Sequence, residues 1–193
     1  MKINQSGPQQ DILEAALRLF SSSGYFATSM QGIRKESGVS IGAIYHYFKN
    51  KEEIATALYD SLLEQMSERT SHYLITRGTF AAACQDLIKH FFSMAEEKPH
   101  ALHFLLYARH REFLTSKKPI CTAKPFELLI DAGRRAMDRG EVRQMDPVVL
   151  VTTIFGSPMR LMLLKVDGLL DAPLLDFFEE AWECIWRGVA AKA

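Results

Sequence analysis

Apolar residues recur every three or four positions along this chain, the spacing of helices that bury one face. Nowhere does the run alternate apolar with polar between turn signals, as a half-buried strand would. Proline, glycine and cap residues cut the pattern into about nine segments, which predicts an all-α fold. Residues 1–7 read as a loose arm. Pro8 opens the first helix, whose stripe is Ile12, Leu13, Ala16, Leu17, Leu19 and Phe20, and Gly24 closes it. Thr28 to Gln31 has capping-box spacing, with Thr28 as cap and Met30 and Ile33 turned inward on a second helix. Gly38 ends that helix, and Ser40 caps a third, about 41–48, too short to stand alone. Asn50 and Glu53 start a long fourth helix, about 51–77, with Ile54, Leu58, Leu62, Met66 and Tyr73 along one side and Gly78 at its end. Five more follow, at about 79–97, 99–114, 125–139, 147–165 and 173–190. Pro99, Pro125, Asp146-Pro147 and Pro173 mark four of their starts, and 115–124 reads as a polar loop.

The third helix carries the first hint of function. At about 100° per residue, Ile41, Ile44 and Phe48 share one face. Gly42, Ala43, His46 and Tyr47 look outward, with Tyr45 at the boundary. The outward face has no carboxylate, and Lys49 and Lys51 flank it, which suits close approach to a polyanion. Helix, glycine turn, helix is also the order of a helix-turn-helix, whose second helix enters the major groove of DNA. On spacing alone, an ordinary helical hairpin with a solvated face fits equally well.

A longer run of residues weighs between them. Ile12-Leu-Glu-Ala-Ala-Leu-Arg-Leu-Phe20, Gly24-Tyr-Phe-Ala-Thr-Ser29, Ile33, Gly38-Val-Ser40, Gly42, Ile44-Tyr45, Tyr47-Phe48 and Lys51-Glu-Glu-Ile54 stand in that order. Residues 8–54, about a quarter of the chain, thereby resemble the DNA-binding domain of the TetR/AcrR family of bacterial transcriptional regulators. The resemblance implies a helix-turn-helix DNA-binding domain at 1–50. A helical effector-binding and dimerisation domain would follow at 51–193, with the fourth helix linking the two. It implies a homodimer joined through the last two helices as a four-helix bundle. It further implies a repressor that binds a palindromic operator and is released by a small, largely apolar ligand. From matching positions it assigns phosphate contacts to Thr28, Ser40, Tyr45, Tyr47 and Lys51, and base readout to Ile41, Gly42, Ala43 and His46.

Composition and charge refine this picture. The 193 residues are 48% hydrophobic and 24% charged, as in a soluble globular protein. Net charge is zero, which by itself argues against a nucleic-acid binder. Residues 1–51, however, carry Lys2, Arg18, Arg34, Lys35, Lys49 and Lys51 against Asp11, Glu14 and Glu36, so a basic head stands on an acidic body. Cys84, Cys121 and Cys184 are odd in number and far apart, so no disulfide or metal framework emerges and a cytoplasmic setting fits best. A redox-sensing role for Cys84 or Cys121 stays open. No leader is visible near Met1. The most apolar stretch, 148–164, is interrupted by Gly156, Pro158 and Arg160, which argues against a membrane span. No glycine phosphate loop, nucleophile elbow or His-Glu-x-x-His run is present, so no enzyme, cofactor or metal is expected.

Two features of the body bear on function. The eighth and ninth helices are apolar on more than one face, which suggests burial on all sides. Phe155, Met159, Met162, Leu163, Phe178, Trp182 and Ile185 are the candidate dimer interface, with Gly156 permitting close approach. The resemblance makes Phe91, Phe92, His103, Phe104, Tyr107, Phe113, Phe126 and Met137 the candidate effector pocket, large apolar side chains with a few polar anchors, while ordinary core accounts for each of them singly. His100, His103, Tyr107 and His110 share a side of the sixth helix; a partly solvated polar face explains them better than a ligand anchor, which is the alternative for one or two of them. The competing expectation is a small-molecule-binding protein whose head docks a protein rather than DNA.

Overall fold

A computed structural model describes residues 7–107, 113–114 and 123–191. Its described residues form nine α-helices: α1 (Pro8–Ser22), α2 (Met30–Ser37), α3 (Ile41–Tyr47), α4 (Lys51–Thr76), α5 (Phe80–Glu97), α6 (Pro99–Tyr107), α7 (Lys124–Asp138), α8 (Pro147–Val166) and α9 (Phe178–Val189). A 3-10 turn, Leu174–Phe177, precedes α9. Residues 115–122 of the loop expected at 115–124, Cys121 among them, and His110 lie outside the described residues, as does the side chain of Tyr107, while Lys124 already belongs to α7. The chain gathers into two compact units, 1–65 with 100–119 and 66–99 with 120–193. The first unit therefore takes in more than residues 1–50: it includes the start of α4 and nearly all of α6.

In the first unit, α1 packs on α2 and α3, and α2 on α3. Ile12, Ala15, Ala16, Ile33, Ile44 and Ile54 are fully buried, and Phe20 and Phe48 nearly so. Burying each Ile or Phe side chain contributes roughly 1.5–3 kcal/mol. That is how seven residues of α3, with only one full turn of hydrogen bonds to spare, stay helical. Gly38 takes the left-handed conformation, φ 71°, and its N–H reaches Arg34 O. Any residue with a Cβ is strained there, so this corner depends on glycine. From α6, Phe104 is fully buried and stacks on Phe20 at 6.0 Å. His100 Nδ1 lies 2.7 Å from Ser21 Oγ, which itself donates to Arg18 O.

In the second unit α5 packs against α8, the 3-10 turn, α7 and α9, and α8 packs against α7 and α9. Leu87, Phe92, Leu150, Ile154 and Leu174 are fully buried at its centre. A Cβ on Gly133 would lie 2.9 Å from Leu150 Cδ2, so glycine sets the approach of α7 to α8. Glu141 accepts from the Ala81 N–H at the start of α5, at 2.8 Å. The chain after α9 is pinned back: Arg143 N–H donates to Val189 O and Ala191 N–H to Glu141 O. By length and composition alone α8 could cross a membrane. Its Leu150, Val151, Ile154, Pro158 and Met162 are instead buried within this unit.

Several expectations are corrected. Ser29, not Thr28, caps α2: its Oγ accepts from Gly32 N–H at 3.1 Å, because the Thr28 hydroxyl is taken up donating to Gly24 O. Pro173 opens the 3-10 turn, and α9 begins five residues later. Met162, Phe178, Trp182 and Ile185 are buried by their own chain, so they are core rather than interface. Apolar residues on several faces did not mean several exposed faces; α5 and the 3-10 turn cover one of them. The outward faces carry Val148, Val149, Gly156 and Met159 on α8 and Cys184 and Gly188 on α9, with Phe155 and Leu163 half-buried. The pocket candidates also separate. Phe91, Phe92, Phe126 and Met137 belong to the second unit, whereas His103, Phe104 and Phe113 belong to the first.

Candidate nucleic-acid interface

The first unit presents α3 on a frame of caps. Ser40 sits in extended backbone before α3 and its Oγ accepts from Ala43 N–H at 3.2 Å. Asn50 Oδ1 accepts from Glu53 N–H at 2.9 Å, and the Glu53 carboxylate accepts from Lys49 N–H at 2.8 Å. This reciprocal pair starts α4 directly after the end of α3. Between the caps, Ile44 and Phe48 point inward, and Tyr45 and Tyr47 are 52% and 40% exposed. His46 is exposed, with its ring edge-on to Tyr47 at 5.2 Å. Gly42 is exposed, and nothing stands within 4 Å of where its Cβ would be. Ile41 and Ala43 are half-buried at the margins. Seven of the nine assigned residues, Ser40, Ile41, Gly42, Ala43, Tyr45, His46 and Tyr47, thus lie on or next to one short helix that bears no acidic side chain.

Thr28 and Lys51 stand differently. Thr28 is only 5% exposed, and its hydroxyl donates to Gly24 O at 2.9 Å, so its side chain faces the protein. Lys51 is half-buried and donates to Tyr25 O at 3.0 Å and Thr28 O at 3.1 Å, with its Nζ 4.3 Å from the centre of the Tyr25 ring. Two of its three N–H groups tie the first turn of α4 to the turn between α1 and α2. Tyr25 completes the knot: its hydroxyl donates to Glu52 Oε1 at 2.6 Å, and its ring stacks on Phe113 at 3.9 Å. Burial, and then the Glu52 hydrogen bond and charge, push the Tyr25 phenol well above its usual range. The same hydrogen bond holds the Glu52 carboxyl below its usual range. The sequence reading missed this group. The sequence assigned Lys51 to a phosphate, and only its closeness to Tyr25 in space gives it and Glu52 a part inside the fold.

The chemistry on offer is recognition of a duplex. Hydroxyls, ring edges and amides at a helix start suit phosphate oxygens, and a small outward residue lets a helix backbone reach base edges. Known proteins agree with this geometry. The family model described as "Bacterial regulatory proteins, tetR family" matches residues 12–58. The fatty acid metabolism regulator protein of Bacillus subtilis is 32% identical over 149 residues, covering 76% of this chain and 77% of that protein. The uncharacterized HTH-type transcriptional regulator YhgD of Bacillus subtilis is 31% identical over 105 residues, so the match spans only about half of that protein, 53%. Among solved structures, the fatty acid degradation regulator FadR of Bacillus halodurans superposes with a TM-score of 0.80 at 18% identity, covering 98% of this chain and 100% of that one. The regulator FadR from Bacillus subtilis in complex with stearoyl-CoA gives 0.76 at 24% identity, over 91% and 96%. The structural likenesses establish the same all-α fold, and the 32% identity across three quarters of both sequences carries it to kinship: the chain belongs to the TetR family of bacterial regulatory proteins.

Proposed function

We propose that this protein is a cytoplasmic transcriptional repressor that binds a palindromic operator as a homodimer and lets go when it binds a long-chain acyl ligand. The α3 surface carries the DNA part of the reading: it is free of acidic groups, capped by Ser40 and open at Gly42. Ser40, Tyr45, Tyr47 and the third N–H of Lys51 hold phosphates, and Ile41, Gly42, Ala43 and His46 approach base edges. Two such heads read successive major grooves about 34–36 Å apart. The outward faces of α8 and α9 pair two protomers. Gly156 and Gly188 leave room there for a second backbone, since neither has a neighbour within 4 Å of its missing Cβ.

The ligand class rests on kinship. A relative 32% identical is named as a regulator of fatty acid metabolism, and a solved structure of the same fold holds stearoyl-CoA. Ligand and DNA then oppose each other through a coupling free energy that must act equally in both directions. The test is fluorescence anisotropy of the protein on a duplex from upstream of its own gene, with stearoyl-CoA titrated in. Release of the duplex at stoichiometric ligand is expected; a duplex that stays bound through a large excess of ligand overturns the acyl-ligand reading.

A further inference from the structure

Three rings of the first unit gather around one ammonium. Lys51 Nζ stands 4.3 Å from the centre of the Tyr25 ring and 6.0 Å from that of Phe26, both within the range of about 6 Å at which a ring face attracts a cation. The third ring is Phe113. It stacks on Tyr25 at 3.9 Å with the two planes only 11° apart, so it covers one face of that ring. An ammonium 4.3 Å from the same ring centre has no room on the covered face, and Lys51 therefore lies against the other. Phe26 is 66% exposed and stands edge-on to both Tyr25, at 5.3 Å, and Phe113, at 6.3 Å.

This arrangement decides where the Lys51 charge sits. A lysine side chain is long and flexible, and its ammonium goes where its partners hold it. Tyr25 gives it two of them, a backbone carbonyl at 3.0 Å and a ring face. The Tyr25 hydroxyl donates to the Glu52 carboxylate, which enriches the ring in electrons and strengthens its pull on a cation. Tyr25 is itself only 6% exposed, and Phe113 is the ring packed closest against it. Phe113 comes from far along the chain, in the stretch 100–119 that returns to the first unit. That stretch is tied to α1 by Phe104 on Phe20 and by His100 at Ser21. Of the groups around Tyr25 named here, Phe113 alone lies outside residues 8–54.

We propose that Phe113 is a positioning residue for DNA binding: it holds the Tyr25 ring against the Lys51 ammonium and so sets where that charge stands when a phosphate approaches. This rests on the DNA reading above, in which Lys51 meets a phosphate. The experiment is a double-mutant cycle on wild type, Phe113→Ala, Lys51→Ala and the double variant. Each is titrated by fluorescence anisotropy with the duplex from upstream of the protein's own gene, over a range of salt, with melting temperatures beside. Phe113→Ala should bind about threefold to tenfold more weakly at physiological salt, the order of one lost phosphate contact. Its slope of log affinity against log salt should fall by about one. In the Lys51→Ala background the same change should cost no further affinity, because the two residues act as one. A residue that merely stiffens the fold would instead lower affinity equally in both backgrounds. Additive losses, an unchanged slope or an unchanged affinity in Phe113→Ala each overturn the proposal and leave the DNA reading standing. A Lys51→Ala slope equal to that of wild type removes the phosphate contact and the proposal together. Wild type that does not bind the duplex sinks the DNA reading itself. Should Phe113→Ala fail to fold, Phe113→Leu, which keeps apolar bulk without a ring, is read against the same outcomes.

Discussion

At Gly42 a methyl group would meet nothing within 4 Å, and the backbone is not among those held at positive φ. The fold therefore has no use for glycine there, and glycine inside a helix is destabilising by about 0.5–1 kcal/mol relative to alanine. In the proposed complex the reason lies outside the chain, where a Cβ would stand between α3 and a base edge. Gly42→Ala should raise the melting temperature by a few degrees and weaken operator binding at least tenfold; an unchanged affinity removes Gly42 from the DNA face. His46→Ala should alter the preferred sequence more than affinity for random DNA, and equal losses on specific and random duplexes contradict a readout role. Lys51 joins two duties. Lys51→Ala should lower stability by about 1 kcal/mol through the two charged hydrogen bonds it loses, although Tyr25 O keeps its bond from Thr28 N–H, and lower the slope of log affinity against log salt by about one. A lower melting point with an unchanged slope would make Lys51 purely structural. Residues like these show what a sequence conceals. The outward set of α3 was readable because a short helix has one period and one inward face. The inward turn of Thr28 and Lys51 was not, because it depends on Tyr25, 26 residues from Lys51, and on Gly24 O.

At the scale of elements, caps and breakers were the most legible signals. Asn50 and Asp146 each accept from amides at the start of the helix that the sequence opens at them. Helix faces were less legible, since α8 and α9 are rich in apolar residues whichever way they turn. The burial of Trp182 and Ile185 became visible only once α5 was in place beside α9. Glycines again mark the free face: Gly156 is exposed, with no neighbour near its missing Cβ. Gly156→Arg should leave the circular dichroism of the chain intact yet shift sedimentation from dimer to monomer; a dimer that persists places the interface elsewhere. The start of α4 gives a pH dependence with a definite sign. The Glu52 carboxyl titrates lower in the folded chain than unfolded, so the stability it adds is present above its unfolded pKa and lost as pH falls through the folded one. Glu52→Gln should flatten the fall in melting temperature between about pH 5 and pH 3, measured by calorimetry. An identical acid profile in both proteins would mean that Tyr25 gains nothing from the charge.

Across the whole molecule, a net charge of zero hides a basic first quarter, and DNA responds to the local field rather than to the sum. The division into two units could not be read from the chain, because 100–119 returns to the first unit after 66–99 has built part of the second. Phe104 and Phe113 show the same limit: apolar periodicity says that a side chain is buried, not against what. Function as a repressor depends on the α3 surface meeting a duplex. The direct measurement is affinity for an operator duplex and for a random duplex of equal length, each over a range of salt. Both should weaken steeply with salt as counterions are released, and the operator should stay at least a thousandfold tighter at physiological salt. Equal affinity for the two duplexes, or binding indifferent to salt, would contradict it.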